Sequence, residues 1–406
     1  MKRPYPKQTS TLRGLKQSGI EAYTLSNSLV VDKDSYILHT KASLDNSKIV
    51  ASLSDFSIVC YDARNGLQAC GKFRGHSDRI RDIVTTPSSP DGSCFFSCSE
   101  DKRIYGWDAR AGEKAVGTFS TIDGSSRSEF GWCSMDIGCS GNLIGAGSDA
   151  EDDSTVYFFD VRSSKVLGKY SEAHTDAITQ VLFNPLRNTE LLTGSLDGLI
   201  CFFDICKQGE EEALQSVMNV EDPVQKLGYF GPSLQCLYCL THSETFSLHH
   251  IEKSECMATF PSVRDHVRSK SKGLMNPEFL VDCFYTEGSL PHSWNFATNN
   301  PTLKQSSSPK SQSLILISGD HHGKLHMNDV TLKGINPLCQ LSNPFAHSAC
   351  VRAVTFMNRD PKTGVPARFI SGGEDGRISD WKHGELTKTK AGKSRSRNRH
   401  SSPRLY

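Results

Sequence analysis

Three stretches of this 406-residue chain, 97–108, 193–204 and 371–382, lie over one another without a gap. Each opens on a hydroxyl residue (Ser97, Thr193, Ser371). An aspartate follows four positions later (Asp101, Asp197, Asp375), and an aromatic ring six beyond that (Trp107, Phe203, Trp381). A histidine precedes each at the start of a loop: His76, His174 and His347. Self-similarity of this kind constrains a fold more than any local pattern, because one unit cannot bury its apolar face alone and must stack on its neighbours. Each unit reads as a strand, a tight turn at the aspartate and a second strand. Short β-rich runs such as 191–193 and 199–203, split by Asp197-Gly198, carry the hairpin signature.

Weaker copies extend the pattern. The ring position recurs as Tyr61, Trp107, Phe159, Phe203, His249, Asn328 and Trp381, at intervals of 44 to 53 residues with one of 79. The framework from Gly75-His76 to Trp107-Asp108 resembles the WD40 repeat, in which each unit is one four-stranded blade of a β-propeller. The segments 145–162, 172–181, 194–199, 238–242 and 372–375 resemble one branch of that family, across most of residues 40–382. The resemblance implies an all-β chain, a seven-bladed WD40 β-propeller over residues 18–384. A ring of blades must not leave an open sheet edge. Residues 21–31 have the right size for the outer strand of the last blade, so the ring is expected to be closed by an N-terminal strand. The long interval predicts a solvated Ser/Asn/Pro/Thr-rich loop inserted at 285–312.

Only 37% of the residues are apolar, and no run has the length that crosses a bilayer. The first 20 residues are basic without the apolar core of a secretory signal, so the 14 cysteines are expected to stay reduced in a soluble, intracellular chain. The net charge of +1 hides a segregation. Residues 382–406 hold eight Lys/Arg against Glu385, and residues 1–16 hold five and no acidic residue, which leaves −11 for the stretch between. The arm 1–17 and the tail 385–406 are expected to be disordered. The tail resembles a nuclear or nucleolar targeting signal, or an arm that neutralises RNA phosphates. The expected location is the nucleus or nucleolus and the cytoplasm.

The His/Ser/Asp sets invite a catalytic-triad reading. In the WD40 family the same residue types form a hydrogen-bonded chain inside each blade. The resemblance therefore implies a structural network of His76, Ser97, Asp101 and Trp107, another of His347, Ser371, Asp375 and Trp381, and a truncated one of His174, Thr193 and Asp197, since Phe203 cannot donate. No catalytic, cofactor or metal site is expected. Cys236 and Cys239 have the spacing of half a zinc site but no second pair, and His321, His322 and His326 should point in different directions. Gly145-x-Gly147 leads into acidic residues instead of a helix. Two sets of arginines are candidates for binding partner proteins. Arg64, Arg110 and Arg162 follow the blade aspartate, as in propellers that dock the adaptor of a cullin-4 ubiquitin ligase; the alternative is an ion pair within the blade, with Asp108 or a neighbour. Arg79, Arg81 and Arg352 lie in the loops after the histidines, at 77–81 and 348–352, with 175–177 the equivalent loop of the fourth unit. The expectation is a non-enzymatic scaffold mediating protein–protein interactions, a monomer within a larger complex. The narrower alternatives are a cullin-4 substrate receptor or a nucleolar ribosome-biogenesis factor that works with ribosome-assembly proteins and touches RNA through its tail.

Overall fold

Seven sheets of four antiparallel strands make up the computed structural model, which describes residues 23–121, 128–150, 154–287, 312–359 and 366–383. The innermost strands are Ile37–Ala42, Ile80–Thr85, Trp132–Ile137, Gln180–Phe183, Val224–Phe230, Phe279–Glu287 and Val351–Arg359. Each packs against the next and the last against the first, so the sheets close into a seven-bladed β-propeller. We number the blades 1 to 7 in that order.

The seven ring positions recognised in the repeat all fall in the third strand of their blade. Tyr61, Trp107, Phe159, Phe203, His249, Asn328 and Trp381 stand opposite Ile49, Phe95, Ile144, Leu191, Leu237, Leu316 and Phe369 respectively. None is more than 4% exposed. The third strand is covered on both faces by neighbouring blades, so whatever occupies this position must be desolvated. Burying a ring the size of Trp107 contributes about 3 kcal/mol.

The N-terminal strand closes the ring. Tyr23–Val30 pairs antiparallel with Arg377–His383 as the outermost strand of blade 7, from Tyr23 opposite His383 to Val30 opposite Arg377. Tyr23 is 2% exposed and meets the Phe369 ring edge-on at 5.0 Å. The following turn is held by the Val31 amide donating to the Gly376 carbonyl at 2.8 Å. Gly376 has φ +65°, and a Cβ there would sit 1.7 Å from the Asp32 carbonyl oxygen, so no other residue fits.

The 79-residue interval has two sources where the sequence reading found one. A helix, Val263–Lys270, lies between blades 5 and 6. Val263 and Val267, four apart and therefore on one face, join the core of Phe246, Met275 and Ile335. The hairpin of blade 6 also runs further than expected: its strands reach Glu287 and resume at Gln312, so the inserted segment is 288–311 and not 285–312. That segment, the arm 1–17 and the tail 385–406 lie outside the described residues.

Candidate functional site

In blade 2 the groups singled out by the repeat form one chain. The Trp107 indole donates to Ser97 Oγ at 2.8 Å, Ser97 lies 2.7 Å from His76 Nε2, and His76 Nδ1 lies 2.9 Å from the Asp101 carboxylate. A carboxylate only accepts, so the neutral ring carries its proton on Nδ1 and Ser97 donates to Nε2. Blade 7 repeats the chain, with Trp381 to Ser371 at 2.8 Å, Ser371 to His347 at 2.7 Å and His347 to Asp375 at 3.2 Å. Blade 4 has the Thr193–His174 contact at 2.7 Å and the His174–Asp197 contact at 3.1 Å, and stops at Phe203. Each aspartate also receives the amide of the residue after its histidine: Ser77, Thr175 and Ser348. Burial alone would raise the three carboxyls, but the histidine and amide hydrogen bonds outweigh it, so all three lie below the usual carboxylate range. The rings of His76, His174 and His347 have both nitrogens occupied.

At the end of the innermost strands nearest these loops, around the mouth of the axial channel, two arginines are set by β-bulges. In six of the seven blades the innermost strand slips register by one residue near its start, between Ile37/His39, Ile80/Asp82, Trp132/Ser134, Val224/Lys226, Leu280/Asp282 and Val351/Ala353. A β-bulge frees one side chain from the alternation and re-aims it. The freed residues are Leu38, Arg81, Cys133, Gln225, Val281 and Arg352. Arg81 pairs with Glu100 at 3.2 Å and reaches Cys133 Sγ at 3.3 Å. Arg352 pairs with Glu374 at 2.6 Å, its guanidinium 6.0 Å from the Phe279 ring centre. Of the three arginines expected at the loops, Arg79 alone is exposed without a side-chain hydrogen bond or ion pair among the described residues.

Below the rim the channel carries charge of both signs. Lys226 and Asp282 pair at 2.9 Å. Lys41 keeps solvent contact yet is ringed by protein. Burial would lower it, but Asp82, Asp136 and Asp282 outweigh that and raise it. His39, bonded to Ser52 at 2.9 Å, is pushed down to about 3 by burial and then by Lys226, Lys41, Arg79 and Arg81. Three of those four cations are matched by carboxylates, Arg81 by Glu100, Lys226 by Asp282 and Lys41 by the three aspartates, which leaves Arg79 as the one without an ion pair among the described residues.

The remaining candidates separate. Arg110 is bidentate to its own Asp108, at 2.9 Å through both Nε and Nη2, and Arg64 pairs with Asp45 at 2.9 Å. Those are ion pairs within the blade. Arg162 makes no ion pair within 4 Å among the described residues, although its charge helps to hold the Asp160 carboxyl down. Cys236 and Cys239 sit in different core clusters, on opposite faces of their strand. His321 and His322 are exposed while His326 is buried. No group of three metal-ligating side chains occurs among the described residues. One contact had no sequence signal: His321 Nδ1 lies 2.9 Å from Cys350 Sγ, across two blades.

One blade aspartate breaks the pattern. Asp62, Asp108, Asp160 and Asp204 each accept the amide two residues on, which caps the turn leaving the third strand. Asp329 holds the same place in blade 6, but the tight hairpin from Thr331 to Gly334 offers no such amide. Its Oδ1 is buried without a partner, and burial drives the carboxyl up to about 7. A carboxyl raised on folding binds more protons in the native state, so its contribution to stability is lost as pH rises from about 4 to about 7. Asp329→Asn should therefore be neutral near pH 4 and stabilising by about 2–4 kcal/mol at pH 8. Urea unfolding at both pH values measures this; an equal effect at the two would contradict it.

The profile of the WD domain, G-beta repeat, matches residues 67–108 and 164–204. The chain is 29% identical to the WD repeat-containing protein GTS1 of Arabidopsis thaliana over 371 residues, 90% of this chain and 86% of that one. It is 25% identical to the WD repeat-containing protein 89 homolog of Dictyostelium discoideum, over 86% and 83% of the two chains. A partial likeness, 27% identity over 38% of this chain and 15% of the other, is to the GATOR2 complex protein Wdr59 of Drosophila melanogaster.

Proposed function

We propose that this seven-bladed β-propeller with WD40 repeats is a non-enzymatic scaffold whose histidine-loop face holds an acidic segment of a partner protein. The observation that carries this reading is Arg79, exposed in the loop after His76 with no ion pair among the described residues, on the face where Arg81 and Arg352 already hold the carboxylates of Glu100 and Glu374. The hydroxyls held by the three loop histidines, on Ser97, Thr193 and Ser371, are fully buried, so these triad-like sets present no nucleophile to a substrate, which speaks against turnover through them. A partial relative named as a GATOR2 complex protein is consistent with a part in a larger assembly.

The test is affinity capture with matched variants. Arg79→Glu should lower recovery of the partner at least tenfold, as reversing a central arginine does at an interface, while the thermal midpoint stays within about 2 °C. Arg110→Ala should change nothing, since that guanidinium is spent on Asp108. Loss on Arg162→Ala with recovery kept in Arg79→Glu would move docking to the blade-aspartate arginines, the cullin-4 adaptor reading. Salt-sensitive co-sedimentation with pre-ribosomal particles, abolished by removing residues 385–406, would favour the ribosome-assembly reading over both.

A further inference from the structure

Blade 1 carries two thiols on neighbouring strands that no network uses. Cys60, in the third strand Ile58–Asp62, is fully buried beside Val50, Ile58 and Phe73. Cys70, in the outermost strand Gln68–Phe73, is exposed. The register between these strands breaks at this point: Cys60 stands opposite Gly71 and Tyr61 opposite Ala69, so Cys70 is the extra residue of a bulge. The bulge turns its side chain back across the strand pair, where Sγ of Cys70 lies 3.4 Å from the Cys60 carbonyl oxygen. The two thiols are close enough to interact directly, and Gly71 has no side chain to separate them. Cys70 is thus the chain neighbour of Gly71, the Cα partner of Cys60, so the two cysteines are diagonal neighbours across one strand pair.

The geometry points to a reversible disulfide between Cys60 and Cys70, formed by exchange with a small-molecule disulfide such as oxidised glutathione. The exposed Cys70 thiolate attacks one glutathione sulfur, the S–S bond breaks, and one glutathione thiolate leaves. Cys60 then gives up its proton and attacks the Cys70 sulfur of the mixed disulfide, displacing the second glutathione. Two cysteine sulfurs are oxidised, two glutathione equivalents are reduced, and the two thiol protons pass to solvent and the departing thiolates. Burial pushes the Cys60 thiol far up, so Cys70 is the entry point and closure is the slower step. Once formed, the bridge ties the outer strand of blade 1 to its blade.

The experiment equilibrates the native full chain in glutathione buffers from reducing to oxidising, alkylates, digests with trypsin and weighs the peptides. Cleavage after Lys48, Arg64 and Lys72 places the two cysteines in separate peptides, 49–64 and 65–72, each with no other cysteine. Oxidising buffer should join them into one species two hydrogens lighter than their sum, and added reductant should separate them. Cys60→Ser should instead leave Cys70 carrying glutathione, and Cys70→Ser, at an exposed site, should abolish the joined species without unfolding. The proposal is overturned if wild-type Cys70 accumulates only the glutathione adduct, as the exposed Cys206 and Cys256 are expected to do, or if it is found joined to a cysteine other than Cys60.

Discussion

Removal of residues 1–31 should lower the thermal midpoint by about 10 °C or more and turn the chain aggregation-prone. The deletion takes away the outermost strand of blade 7 and leaves Arg377–His383 as an open edge, with its backbone groups free to pair with another chain. It also strips Tyr23 from the Phe369 ring and thins the cover over Trp381 in the same cluster. Losing one buried ring and a ladder of about seven pairs, less the entropy returned to eight residues, comes to several kcal/mol. For a domain of this size that corresponds to a shift of roughly 10 °C. A peptide of residues 21–31 added in trans should restore part of the midpoint by filling the vacated edge. A truncated protein that melts with the full chain would show that the blade closes without this strand.

His76→Ala should destabilise by about 3–5 kcal/mol, a larger cost than removing most single polar groups. The substitution leaves the Asp101 carboxylate, 1% exposed in its side chain, with amide donors from Ser77 and Arg103 but no imidazole. It also leaves Ser97 with nothing to donate to, while still receiving the Trp107 indole. Trp107→Phe removes only the far end of the chain and should cost about 1–2 kcal/mol. The double variant should cost less than the sum, because the two groups act through Ser97. Chemical denaturation of the four proteins reads the cycle; a loss below 1 kcal/mol for His76→Ala would show that these residues do not hold the blade together. The acid limb follows from the same groups. Asp101, Asp197 and Asp375 have depressed pKa values, so the stability they contribute is present above the unfolded value near 4 and is lost as pH falls through the lower folded values.

The blade count was legible because the ring position is defined by burial, not by residue type. His249 and Asn328 depart from the aromatic pattern, yet each sits opposite a leucine, as Phe203 does. Spacing alone placed them correctly. The closing strand was legible for a related reason, since a ring leaves one edge in need of a partner and residues 21–31 were the β-rich run left over. The His–Ser–Asp contacts were implied by the resemblance to the WD40 repeat, in which the same residue types form a hydrogen-bonded chain inside each blade. The bulges did not follow. A register slip is settled by how a strand meets its partner, and nothing in Ile80-Arg81-Asp82 marks Arg81 as the residue set free. The Val263–Lys270 helix was hidden by its shortness, with two buried valines as its only periodic signal. The Cys60–Cys70 juxtaposition and the unpartnered Asp329 depend in the same way on pairing between strands.

Because Tyr23 faces His383 across the closing pair, the polypeptide enters and leaves the ring at one point. The basic stretches 1–16 and 382–406 are therefore joined in sequence to the two strands of a single pair in blade 7. Opening that one strand pair would therefore release both ends of the ring together.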